Sequence, residues 1–267
     1  MRRPQSIHAT LAVLVALLAP AAAFGQSTAA PIITAIAGGF GFLPVVAPNG
    51  LANIIGRNLA DTPGFNPGTT RITVNGVQAL FQFAQFDANT TIWTVAFQVP
   101  PQTQVGPAIF VVNKDGVNSA PFSFQVSQFA PQLAGVGNTP FARMQHADGT
   151  TLDANSPASP GEKVKCVVSG LGATDPPAVP TLVVGGFPAT VESIRANDPI
   201  FGFPGVFGLT FVLPPQLGSG NAPLSISINN LTSTTRNVPI QSKGLSVSQS
   251  GVTFRAAELP QPPSASR

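Results

Sequence analysis

Two stretches of the chain carry the same alternation of apolar and polar positions. In residues 93–101, Trp-Thr-Val-Ala-Phe-Gln-Val-Pro-Pro, one face receives Trp93, Val95, Phe97 and Val99. In residues 207–215, Phe-Gly-Leu-Thr-Phe-Val-Leu-Pro-Pro, the matching face receives Phe207, Leu209, Phe211 and Leu213. Period two over this length is the mark of a half-buried β-strand. The Pro-Pro pair closing each run removes the N–H groups that a ladder needs. A glycine follows each run (Gly106 and Gly220), and another apolar strand begins. The pattern predicts two copies of one β-unit, with these two strands as core anchors.

The rest of the pattern fills out both copies. Pro31–Ile36 predicts a first strand, Gly38–Phe42 a loop with aromatics, and Leu51–Leu59 a strand ending in a bend. Pro63–Gly68 is loop by its Pro and Gly content. Asn75-Gly76 lies between β-formers and predicts a type I′ hairpin, which needs positive φ at both central residues. Leu80, Phe81, Phe83 and Phe86 continue the return strand. Ala108–Val112, a turn at Asn113–Gly116, and Phe122, Phe124 and Val126 complete about seven strands, the number in an immunoglobulin-like sandwich. About 110 residues later the landmarks return: Pro160-Gly161, Val164–Val168, Val183–Ala189, the Phe207 strand, then Leu224, Ile226 and Ile228. The expectation is an all-β chain of two tandem immunoglobulin-like β-sandwich domains after a signal peptide. Domain 1 covers 31–127, an inter-domain connection 128–159, domain 2 160–243, and a tail 244–267. The connection exceeds ordinary loop length, so it is either ordered against the second domain or functional.

Composition narrows the class. Charged residues are 9% and apolar residues 43% of 267. That is ample for a core and far from the composition of a disordered chain. Gly 26 and Pro 28 forbid long helices and suit short strands with tight turns. The formal charge of +3 includes Arg2 and Arg3; without them 11 basic face 10 acidic residues. Lys and Arg nowhere cluster in the remainder, so the electrostatic footprint for nucleic acid is missing.

Residues 1–25 read as a secretory signal peptide. Met1-Arg-Arg3 is a basic head, Leu11–Leu18 an apolar run, and Ala21–Ala23 a small-residue cleavage site, with Ala23-Phe-Gly25 as a second. The run is shorter than the ~18 residues of a membrane span, so no transmembrane segment is expected in the mature chain. The expected localisation is secreted: extracellular, cell surface or periplasmic. Cys166 is the only cysteine, so packing and not disulfides must hold the domains.

Candidate chemistry is sparse. His146 is the only histidine beyond the leader; Asp148 and Asp153 lie near it, but there is no Gly-x-Ser-x-Gly elbow. It reads as a solvent-exposed loop residue, with hydrolysis as the weakest alternative. His146 and Cys166 cannot by themselves assemble a zinc site. Cys166 alternates with Val164 and Val168 and reads as a small buried hydrophobe. Asp148–Asn155 offers oxygen atoms to calcium but does not fit an EF-hand loop, and Asp-Gly is ordinary turn chemistry. No catalytic, cofactor or metal residue is assigned. Phe40, Phe42, Phe201 and Phe203 fall in predicted loops. They form a candidate apolar contact surface, or else cap the sandwich ends.

The Ala47-Pro-Asn-Gly50 turn, the Ile54–Leu59 strand and the Val74-Asn-Gly76 hairpin resemble an IPT/TIG-type immunoglobulin-like unit. The order Gln145–Thr150, Pro157–Glu162, Ser169–Gly172, Pro204-Gly205 and Val212–Pro214 is similar to an uncharacterised Ig-like C-terminal family of secreted bacterial proteins. That family commonly has Asn where His146 stands, and a Tyr-Gln pair before the second anchor strand that this chain lacks. The resemblance implies fold and compartment, and no activity. Residues 244–256 faintly resemble the start of a BACON-like module; a plain tail is the other reading. The functional expectation is a non-enzymatic structural or adhesive interaction module, its partner a cell-envelope protein or polysaccharide. A polysaccharide-binding accessory module is the alternative.

Overall fold

Alternating apolar faces make nineteen short strands in the computed structural model, which describes residues 29–196 and 202–242. The expected signal peptide, Phe201 and the expected third module lie outside the described residues. The first unit contains β1 (Ile32–Gly38), β2 (Leu51–Arg57), β3 (Arg71–Val74), β4 (Val77–Gln78) and β5 (Leu80–Asp87). It continues with β6 (Ile92–Gln98), β7 (Gly106–Lys114), β8 (Val117–Asn118) and β9 (Phe122–Val126). One sheet has the order β1-β2-β6-β5; the other has β4-β3-β7-β8, with β9 also on β7.

The chain is an all-β, tandem immunoglobulin-like protein. In the first unit the inner faces of both sheets meet in one core: Ile54, Val95 and Phe97 against Ile72, Phe110 and Val112. The Phe97 and Phe110 rings meet edge-on at 6.2 Å, a favoured aromatic geometry. Trp93 is 8% exposed and Phe207 2%, and Val95, Phe97, Leu209, Phe211 and Cys166 are buried. Asn75 (φ 49°) and Gly76 (φ 80°) both take the left-handed backbone that the hairpin requires.

The second unit starts with β10 (Gln132–Leu133), β11 (Met144–His146) and β12 (Thr151–Leu152). Then come β13 (Lys163–Ser169), β14 (Thr181–Val184), β15 (Phe187–Ala196) and β16 (Val206–Val212). β17 (Gly220–Ile228), β18 (Leu231–Thr232) and β19 (Arg236–Ile240) close it. Strands β10 and β11 both pair with β13, so the stretch 128–159 adds strands to the second sandwich. Strand β15 pairs with β14 at its start and β16 at its end, linking the two layers; in the first unit β4 and β5 share that task on either side of Ala79.

The units touch along a small apolar seam of Leu51, Ala134, Val167 and Val206, with Phe40 and Ala96 packed on it. The buried Ser169 hydroxyl accepts from Leu51 N–H (2.8 Å) and donates to the Gly205 carbonyl (2.7 Å), so one side chain stitches both units. Gly170 has φ +75°, and a Cβ there would sit 1.8 Å from the Ala130 carbonyl oxygen. Only glycine allows that approach.

Candidate functional site

The outer face of the first sheet is where sequence and fold build something besides a core. Strand β5 contains a bulge: Phe81 pairs with Phe97, but Phe83 pairs with Ala96, leaving Gln82 as the extra residue. A bulge shifts the side-chain phase by one. Phe81 therefore packs on the core while Phe83, two residues on, lies over the outer face. Strict alternation places both on one side.

Three further segments bring rings to Phe83. The 38–42 loop supplies Phe40 and Phe42; its Phe40 N–H donates to Gln132 Oε1 of the second unit (2.6 Å). The 58–70 loop supplies Phe65. Gly64 and Ala84 exchange backbone hydrogen bonds of 2.8 Å, pinning that loop to the edge of β5. Lys114 holds its base through Asp61 (2.8 Å) and is also paired with Asp115 (2.6 Å). The hydrogen bond from Lys114 lowers the pKa of each aspartate, and the two carboxylates, Asp115 foremost, raise that of Lys114. From the second unit, Phe203 stacks on Phe65 at 5.9 Å and 14°, and Phe65 meets Phe83 at 5.2 Å and 54°.

The result is a cleft of about 370 Å³ between the sandwiches, floored by Asn53, Ala96 and Thr94 and walled by five phenylalanines. Among the described residues no charged side chain lines it. Asn53 Nδ2 is committed to the carbonyls of Gly38 (3.4 Å) and Gly39 (3.2 Å). Gln82, 8% exposed, lines the cleft, and its enclosed Nε2 has no hydrogen-bond partner among the described residues. Phe42 and Phe65 are 58% and 67% exposed. Of the four phenylalanines singled out from sequence, Phe40, Phe42 and Phe203 border this cleft, and Phe201 lies outside the described residues. Sequence reading missed Phe65, Gln82 and Phe83. The phase slip from Phe81 and Phe83 to Phe86 was the available sign of a bulge.

The reading of His146 as an exposed loop residue is corrected. It ends strand β11, paired with Val164, because the supposed connection forms strands on the second sheet. Its Nδ1 lies 2.5 Å from Glu162 Oε1, and its Nε2 3.1 Å from the Ser156 carbonyl and 3.2 Å from Ser156 Oγ. Burial works against the charged ring, but the Glu162 carboxylate and the Ser156 carbonyl outweigh it and hold the pKa above its ordinary value. Hydroxyl, imidazole and carboxylate thus stand in the order of a nucleophile–base–acid relay. The neighbouring amides are already committed: Asn155 and Ser156 N–H donate to Asp153 Oδ1, and Ser159 N–H to Glu162 Oε2. None of these is left to hold an oxyanion. A ring protonated at both nitrogens, which these two acceptors favour, has no lone pair to take a proton. The arrangement works as a clamp on the 153–162 loop.

Asp148 accepts from Thr150 N–H and Oγ1 (2.9 and 2.7 Å), and Asp153 is likewise turned onto its own loop. Among the described residues no three His, Cys, Asp or Glu side chains converge on a metal position. Burial pushes the Cys166 thiol up to about 12, which leaves it protonated and unreactive.

No family model and no curated protein matches the chain. Solved structures resemble it in architecture. A Bacteroides ovatus SGBP-B bound to a mixed-linkage heptasaccharide is 13% identical over 81% of this chain and 48% of its own, with a TM-score of 0.35. The titin Ig tandem A164–A165 is 15% identical over 74% of this chain and 92% of its own, TM-score 0.22. The Yersinia pseudotuberculosis adhesin InvE is 13% identical over 79% and 58%, TM-score 0.25. The chain spans about half the length of the SGBP-B proteins it resembles. Likeness at this level speaks to neither ligand nor partner.

Proposed function

We propose that this chain is an exported, non-catalytic interaction module, in which two IPT/TIG-like sandwiches hold a neutral aromatic cleft toward a partner outside the cell. One observation carries the reading: phenylalanines from both units border a space of about 370 Å³ that no charged side chain among the described residues lines. That size and apolar lining are those of a ligand-binding cleft, which ranges over ~300–1,000 Å³. The sandwiches are the scaffold, and loops at their junction supply the contact rings. The 1–25 leader supports export, and the occupied amides beside Ser156 support a non-enzymatic role.

The test is retention of the purified chain on cell-envelope protein fractions and on insoluble polysaccharides. Phe203→Ala and Phe42→Ala are expected to weaken binding to envelope protein by about tenfold each, with the domains still folded. Retention on polysaccharide alone, lost in the same variants, would move the reading to a polysaccharide-binding accessory module. Hydrolytic turnover abolished by His146→Asn would overturn both.

A further inference from the structure

We infer that the cleft recognises a neutral polypeptide segment, laying an aromatic side chain among the phenylalanine rings and a backbone carbonyl oxygen on Gln82; this rests on the cleft being the contact site. Gln82 is the extra residue of the β5 bulge, and bulges re-aim side chains beside binding sites. It is 8% exposed and lines the cleft, and its Nε2, itself enclosed, donates to nothing among the described residues. A buried donor left unpaired costs free energy that an acceptor recovers. The terminal amide torsion is soft, so an occupant that offers an acceptor would draw Nε2–H out of its enclosed position without moving the strand.

The occupant's chemistry follows from what surrounds that donor. The unpaired group is an N–H, so the occupant brings an acceptor. Among the described residues no cation lines the space, so a carboxylate would be buried without a partner, and the acceptor is a neutral oxygen. The walls are mostly phenylalanine, which offers apolar faces and edges, with Gln85 and Thr94 as further polar groups on the lining. A sugar ring would bring several hydroxyls against these walls, where the only other polar side chains among the described residues are Asn53, Gln85 and Thr94. An aromatic side chain flanked by its own peptide group supplies an apolar body and one neutral oxygen. It also suits a space of about 370 Å³.

The experiment follows the side-chain amide of Gln82 by ¹H–¹⁵N NMR in the full chain, titrated with N-acetyl-phenylalaninamide, N-acetyl-alaninamide, toluene and cellotetraose. N-acetyl-phenylalaninamide is expected to move the Gln82 amide and to bind about tenfold more tightly than toluene. Gln82→Leu should erase that preference while toluene still binds, which also reports that the cleft is intact. If the variant does not fold, the wild-type amide shift and the toluene comparison decide alone. Equal affinity for toluene and the amide would overturn the role of Gln82 and leave the cleft standing. Tighter binding of cellotetraose, with the Gln82 shift, would overturn the polypeptide assignment. No binding of any probe would overturn this inference and the proposed function together.

Discussion

Gln82 and Glu192 occupy the same place in two copies of one strand. In the first unit the bulge falls between the pairs Phe81–Phe97 and Phe83–Ala96; in the second it falls between Val191–Phe211 and Ser193–Thr210. The backbone is the same and the surroundings are opposite. Around Gln82 the outer face carries Asn53, Ala96 and Phe83 in one row. It lies under the 38–42 loop and Phe203. Around Glu192 the matching row is Lys165, Thr210 and Ser193, and Glu192 itself pairs with Lys163 at 2.7 Å in solvent. One bulge re-aims a neutral amide into a cleft walled mainly by phenylalanine, and the other sends a carboxylate into water. A duplicated scaffold thus keeps its core and changes its outer face, because the core answers to packing and the outer face to whatever covers it.

Exchanging these two residues breaks the comparison most directly. Gln82→Glu places a carboxylate among phenylalanines with no cation on the lining among the described residues, and is expected to cost about 3 kcal/mol. Urea unfolding monitored by fluorescence of the single tryptophan, Trp93, would measure it; a cost below about 0.5 kcal/mol would mean that the cleft is wetter than its lining implies.

The next effect concerns what keeps Phe203 over the first unit. Ser169→Ala removes the buried hydroxyl that joins Leu51 N–H to the Gly205 carbonyl, leaving both groups unpaired. The expected loss is about 2 kcal/mol. Proteolysis should then cut the junction faster while the first sandwich keeps its hydrogen-exchange protection. Unchanged cleavage would show that the apolar seam alone holds the pair.

A pH effect belongs to the second unit. The folded pKa of His146 is raised, so its contribution is full below the unfolded value of ~6.5 and is lost as pH rises through the folded value. Exchange protection of the 153–162 loop should therefore fall as pH rises through that range, after correction for intrinsic rates. His146→Asn should flatten the profile, and a loop equally protected across the range in the native chain would refute the clamp.

The smallest effect is the control. Glu192→Gln removes half of an exposed ion pair and is expected to change stability by no more than about 0.5 kcal/mol. A loss as large as that of Gln82→Glu would erase the distinction drawn between the two faces.

Much of the fold was legible because strand burial has a fixed period. The inward residues of the two anchor strands, the Asn75-Gly76 turn and the paired landmarks all follow from local rules that one stretch of chain obeys by itself. The 128–159 stretch was harder. Its strands β10, β11 and β12 are two or three residues long, too short to show a period of their own; β10 and β11 take their shape from β13, and β12 from β11. His146 was misplaced for that reason. The cleft was legible only in part. Phe40, Phe42 and Phe203 stood out as apolar residues in loops, whereas Phe83 was hidden by a bulge and Phe65 by a loop that looked like turn chemistry alone.

By itself the sequence determined that this chain is two β-units and which face of each anchor strand is apolar. Side-chain phase along a strand is a local property of the backbone. Only the tertiary structure decided that Phe65, Phe83 and Phe203 meet, and that Gln82 is left with an unused donor beside them. Those facts depend on a one-residue slip in register and on the approach of a second domain. Both are set by contacts between residues far apart in the chain.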